Sequence, residues 1–169
     1  LPDSTLKSFL EKKVGYLILY NLSDLHRVED FIAQNYPNRI QPILLRFQAP
    51  KYMARHGIPV DVKSFQRLNK ILNYAPHLQF EGILSHMGTR MKALINFQKH
   101  LAHIILILNY LQEHTSLTPS IINMGGGLPN ADSFKKPRLR KILEHIKNDL
   151  TQAGWDQCRI FYEPGRFIV

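Results

Sequence analysis

Ile121-Ile122-Asn123-Met124-Gly125-Gly126-Gly127-Leu128-Pro129 is the stretch from which the fold can be read. An apolar, β-branched run that halts at three glycines reads as a buried strand emptying into a bare backbone loop. Without side chains, three successive N–H groups can close around an anion. A flexible turn is the plainer alternative, but a turn that needs one positive φ has little use for three glycines, each of which costs conformational entropy. A phosphate is the expected occupant, although the loop has neither the Lys-Ser/Thr of a nucleotide P-loop nor the spacing of a dinucleotide fingerprint.

Two more apolar runs end in polar residues. Ile160-Phe161-Tyr162-Glu163-Pro164-Gly165-Arg166 places an acid at a strand terminus and an arginine beyond a tight turn. A surface ion pair would be worth little. The functional reading has Glu163 pointing inward at a protonated ring nitrogen and Arg166 pairing with phosphate. The third run, Gly82-Ile83-Leu84, ends in Ser85-His86-Met87-Gly88-Thr89. A lone histidine is more often a satisfied structural residue, but the flat imidazole of His86 could stack on an aromatic cofactor, and the Thr89 hydroxyl could reach the same phosphate. All these groups fall at the carboxyl ends of strands, where α/β proteins place their chemistry.

Outward from these stretches, strands and helices alternate. Strands are expected at 16–20, 42–47, 79–85, 120–124 and 159–162, and helices near 4–13, after Asn21, at 62–73, at 91–113 and at 137–153, with Gly154 as the last stop. Such alternation means a parallel sheet with right-handed crossovers. Five strands fit an open doubly wound sheet or part of a (β/α)8 barrel, and periodicity does not separate the two. A complete barrel needs about 250 residues, more than the 169 here, so the chain is read as one domain spanning 1–169.

At 44% hydrophobic and 21% charged residues, the composition is that of a globular core-forming chain. The single cysteine, Cys158, rules out an internal disulfide and fits a reducing compartment. No stretch is apolar and long enough to cross a bilayer; Leu101 to Leu111 contains His103 and Asn109 and reads as a buried or half-buried helix. Leu1-Pro2-Asp3-Ser4 lacks the basic start and apolar centre of a signal peptide, and its first residue is not methionine, which suggests an excised piece. The net charge of +9 is spread out, densest at 135–141, without aromatics at stacking intervals, so it reads as a solvated surface and no nucleic-acid partner is expected. The eight histidines form no His-x-x-x-His pair on one helix, and no carboxylate cluster accompanies His100 and His103, so no metal is expected.

Ser-His-Met-Gly-Thr (85–89), Asn-Met-Gly-Gly-Gly-Leu-Pro (123–129) and Glu-Pro-Gly-Arg-Phe-Ile-Val (163–169) occur in the order and near the spacing of the fold-type III pyridoxal-phosphate decarboxylases. The chain resembles that family, which includes ornithine, diaminopimelate and arginine decarboxylases built on an alanine racemase-like barrel, across nearly its whole length. Leu44-Leu45-Arg46 is similar to the family's arginine-bearing central strand, and Arg55-His56-Gly57 to a degenerate Lys-Phe-Gly motif.

The resemblance implies a partial (β/α)8 TIM barrel, about strands four to eight, without the C-terminal β-domain. It implies pyridoxal 5'-phosphate as cofactor, held by Arg46, Thr89, Gly125, Gly126, Gly127 and Arg166. His86 would stack on the ring and Glu163 would keep the ring nitrogen protonated, these two being the catalytic candidates. The implied reaction is decarboxylation of a basic amino acid such as diaminopimelate, ornithine, lysine or arginine, by a cytoplasmic homo-oligomer, a dimer in the family. The family's Schiff-base lysine lies on the first barrel strand, upstream of all these motifs, and nothing here corresponds to it. The chain alone is therefore expected to be inactive. A non-catalytic module of the same fold, regulating a true decarboxylase, is the alternative.

Overall fold

The structure, a computed structural model, describes residues 2–50, 56–86, 88, 94–127 and 136–163. The elements run α1 (Asp3–Glu11), β1 (Leu17–Leu19), α2 (Leu22–Asn35), β2 (Gln41–Phe47), α3 (Val62–Leu72), β3 (Leu78–Ser85), α4 (Leu94–His114), β4 (Ile121–Asn123), α5 (Lys136–Gln152) and β5 (Arg159–Phe161). Each lies within a few residues of its expected place. Local chemistry explains the starts and stops. The Asn21 side chain accepts from Asp24 N at the head of α2, and Asp61 accepts from Ser64 N at the head of α3. Past α5, Gly154 takes a φ of 80° and Trp155 N reaches back to Leu150 O.

All strand pairs are parallel, and the order is β1-β2-β3-β4-β5. That order separates the two architectures which periodicity left open. A doubly wound sheet reverses its strand order at a switch point. A strictly sequential order with right-handed crossovers places every helix on the same face, as in a barrel wall.

Side-chain parity follows. Leu17, Leu19, Ile43, Leu45, Phe47, Ile83 and Ile122 share one apolar core with helix residues such as Leu25, Ile32, Phe65, Leu101 and Ile104. Alternate residues point the other way, to an inner face built from Tyr16, Ile18 and Tyr20, then Leu44 and Arg46, then Gly82 and Leu84, then Ile121 and Asn123, then Arg159 and Phe161. That face is concave. Tyr16, beside the first strand, meets Phe161 of the last edge-on at 6.3 Å between ring centroids, and Arg159 Nη2 lies 3.3 Å from Tyr16 Oη. At Gly82 even a methyl group would sit 2.0 Å from Ile121 O, so β3 and β4 approach closely beneath the site.

Among the described residues no helix is long and apolar enough to cross a membrane, and no cluster of three or more ligating side chains could hold a metal ion.

Candidate active site at the carboxyl rim

The inner-face parity carries past the strand ends. His86 continues the 82–84 series of β3, Gly125 the 121–123 series of β4, and Glu163 the 159–161 series of β5. The described residues of the three motifs singled out in the sequence therefore meet on one rim.

A chain of hydrogen bonds joins them. Gly126 N donates to His86 Nδ1 at 3.0 Å, and Gly125 N donates to Asn123 Oδ1 at 2.8 Å. Asn123 Nδ2 in turn donates to Glu163 Oε1 at 3.1 Å, and Glu163 N donates to Gly125 O at 2.9 Å. The amide of Asn123 has only one orientation that serves both neighbours, because Gly125 N requires the oxygen. Asn123 is thus a strut between the glycine loop and the carboxylate. A polar residue in a buried strand reads as an irregularity until the register shows which strand end lies opposite it.

The hydrogen bond from Gly126 also fixes the imidazole. An accepting Nδ1 carries no proton, so neutral His86 holds its proton on Nε2. Burial pushes the His86 pKa below its ordinary value, the Arg46 charge lowers it further, and the Glu163 carboxylate pulls it back up. The ring is therefore neutral at pH 7, flanked by a cation and an anion.

Gly125 shows how closely the loop and ring fit. Its φ is 63°, and a Cβ there would lie 2.6 Å from His86 Nδ1. At Gly126 a Cβ would lie 3.0 Å from Glu163 O and 3.4 Å from His86 Cε1. Arg46 stands on the inner face of β2 with Cζ 4.9 Å above the Tyr20 ring, and its Nε is buried without a hydrogen-bond partner among the described residues. Tyr20, which sequence reasoning did not single out, is the platform beneath that guanidinium. The carbonyl of Arg46 accepts from Ile58 N, so the segment after His56-Gly57 closes on the end of β2. Gly57 is needed there, since its Cβ would lie 2.6 Å from the Phe47 backbone.

Structure thus brings together Arg46, His86, Gly125, Gly126 and Glu163, with Gly127 next along the chain. Thr89 and Arg166, also expected to hold phosphate, lie outside the described residues, as does Arg55. The described part of the rim offers a neutral imidazole, an accessible carboxylate and a guanidinium around a loop free of side chains. That donor set suits a flat heteroaromatic ring with a basic nitrogen and an anionic substituent.

The family model described as pyridoxal-dependent decarboxylase, pyridoxal binding domain, matches residues 2–169. The chain belongs to that family. Pyridoxal phosphate is the family's cofactor. Across 95% of this chain it is 21% identical to the diaminopimelate decarboxylase of Staphylococcus aureus (strain COL), and it covers 40% of that protein. Among solved structures, the diaminopimelate decarboxylase of M. jannaschii in complex with L-lysine superposes with a TM-score of 0.81 at 14% identity, over 99% of this chain and 42% of that one. The arginine decarboxylase of Paramecium bursaria Chlorella virus gives 0.71 at 19% identity, over 98% of this chain and 43% of that one. These decarboxylases share the fold of this domain, and the chain spans about two-fifths of their length.

Proposed function

We propose that this chain binds pyridoxal phosphate at its carboxyl rim and is the cofactor-holding part of a decarboxylase for a basic amino acid, of the diaminopimelate, ornithine, lysine or arginine type. The supporting observation is the hydrogen-bonded series His86–Gly126 and Gly125–Asn123–Glu163 on one concave face. When bound, pyridoxal phosphate supplies the electron sink for loss of carbon dioxide. Glu163, held by Asn123, presents its carboxylate to the ring nitrogen and keeps that nitrogen protonated. His86, neutral and locked by Gly126, offers its flat face to the ring. Arg46 adds positive charge on the inner face of β2. The phosphate falls to Gly125, Gly126 and Gly127, with Thr89 and Arg166 from the sequence motifs. The Gly125 and Gly126 amides already serve Asn123 and His86, so an anion at the loop shares or exchanges with those acceptors.

On this reading residues 1–169 form a single unit, working as a homo-oligomer in a cytoplasmic setting. No lysine here corresponds to the family's Schiff-base lysine, so the chain binds and orients but does not turn over by itself. The test is a titration of the protein with pyridoxal phosphate, followed by absorbance and fluorescence, in wild type and in Glu163→Gln and His86→Ala. Saturable binding that weakens in both variants is expected. Equal labelling of all three proteins after borohydride reduction would show adventitious lysine chemistry and sink the reading. Stoichiometric labelling of one lysine together with turnover would overturn the proposed incompetence.

A further inference from the structure

Two histidines of α4, unused by the chemistry above, hold the backbone on which the rim is built. His100 is completely buried, and its Nε2 lies 3.0 Å from Ser85 O. His103, one turn on, places Nε2 2.7 Å from Gln48 O. A carbonyl oxygen only accepts, so both Nε2 atoms carry a proton. Ser85 is the last residue of β3, and its carbonyl belongs to the same planar peptide unit as the His86 N–H. Gln48 is the first residue past β2, two beyond Arg46. One helical face therefore grips the ends of both strands that deliver the imidazole and the guanidinium.

The sheet does not do this work alone. The β3–β4 ladder stops at Leu84 and Asn123, and the β2–β3 ladder stops at Phe47 and Ser85. At that last pair the Ser85 carbonyl, on the chain leading to His86, is taken by His100. The arrangement is also costly as packing. His100 is buried on the same helix as the core residues Leu101 and Ile104, yet its Nδ1 is buried without a hydrogen-bond partner among the described residues. A leucine would fill such a place without an orphaned polar atom.

We propose that His100 is a positioning residue: through the Ser85 carbonyl it sets the peptide plane from which His86 projects onto Gly126, while His103 steadies the end of β2 behind Arg46. The consequence for cofactor binding rests on the function proposed above; the geometric coupling from His100 to His86 does not.

Nuclear magnetic resonance of the His86 ring nitrogens and the Gly126 amide tests the coupling. Wild type should show one His86 tautomer, protonated at Nε2, and a slowly exchanging His100 Nε2 proton. His100→Leu should mix the His86 tautomers and speed Gly126 amide exchange about tenfold, the loss of one hydrogen bond. His100→Gln, which restores a donor, should return both signals towards wild type. Ile104→Ala, a core cavity one turn away, should lower stability without moving either. Unchanged His86 and Gly126 signals in His100→Leu overturn the proposal, as does an equal response to Ile104→Ala. Should His100→Leu not fold, the shorter His100→Asn is expected to behave in the same way, and a fast-exchanging His100 Nε2 proton in wild type refutes the coupling without any variant. If wild type fails to bind pyridoxal phosphate while His86 still answers to His100→Leu, the functional reading falls and the coupling stands. Retained cofactor affinity with silent His86 signals is the opposite result.

Discussion

Replacing Gly125 with alanine should separate two costs that the loop otherwise hides. Gly125 and Gly154 both have positive φ, 63° and 80°. At Gly154 an added Cβ meets nothing within 4 Å, so Gly154→Ala introduces only left-handed strain. That strain is about 1–2 kcal/mol, offset by about 0.4–1 kcal/mol from the stiffer unfolded chain, for a net loss on the order of 1 kcal/mol. At Gly125 the same strain applies, but the Cβ would also lie 2.6 Å from His86 Nδ1 and 3.0 Å from His86 Cβ. The imidazole has to leave, and the buried Gly126 N–H loses its acceptor. An orphaned buried donor costs about 1–3 kcal/mol, so Gly125→Ala should lose about 2–4 kcal/mol in all. Urea unfolding of both variants and wild type, with unchanged m-values, measures the two losses. Gly15→Ala, with no neighbour within 4 Å and no positive φ, is the baseline. Equal losses at 125 and 154 would refute the contact between loop and ring.

Other perturbations have equally definite signs. Both ring nitrogens of His77 face acceptors, Glu29 Oε1 at 2.6 Å and Pro37 O at 3.1 Å, and the hydrogen bond to Glu29 raises its pKa above 6.5. The stability this adds is present in full below pH 6.5 and is lost as pH rises through the raised value; Glu29→Gln should flatten that part of a denaturation-midpoint profile, and an unaltered slope would count against the pair. Burial lowers the His100 pKa to about 4, so its contribution runs the other way. Stability should fall as pH drops from 6.5 towards 4, by up to roughly 3 kcal/mol, and His100→Gln should remove that acid slope. Asn123→Asp keeps the acceptor for Gly125 N but sets a second carboxylate beside Glu163 Oε1; a lower melting temperature at pH 8, recovered near pH 4, is expected, whereas a loss independent of pH would argue for packing alone. The unpaired β1 edge, with an apolar groove of about 330 Å³ between Phe9, Tyr16, Leu17 and Val28, should drive self-association. Sedimentation velocity reads this, and a clean monomer at high concentration would contradict it.

Much of the fold was legible because buried parallel strands are written as short apolar runs. Five such runs, punctuated by Asn21, Asp61 and the glycines, placed every described strand to within a few residues. What periodicity left open was strand order, since an apolar run does not reveal which neighbour it pairs with. The reading of 125–127 as three N–H groups around an anion did not include the hydrogen bonds those groups make. Two of those donors are engaged by Asn123 and His86, partners that no spacing rule supplies. His103 was read only as a polar break in an apolar helix, and His100 only as a histidine without the carboxylates of a metal site, because nothing local to α4 shows that strand-end carbonyls lie within reach.

The sequence by itself determined the period of the elements and the chemical groups at the strand ends, because both depend on residue type and on neighbours a few positions away. Only the tertiary structure decided that those groups share one concave rim. Side-chain parity repeats along every strand, but which parity faces inward, and what stands across from it, is set by parallel register and by the single face on which the helices pack. Those are relations between segments as far apart as Tyr16 and Phe161, and no local pattern encodes them.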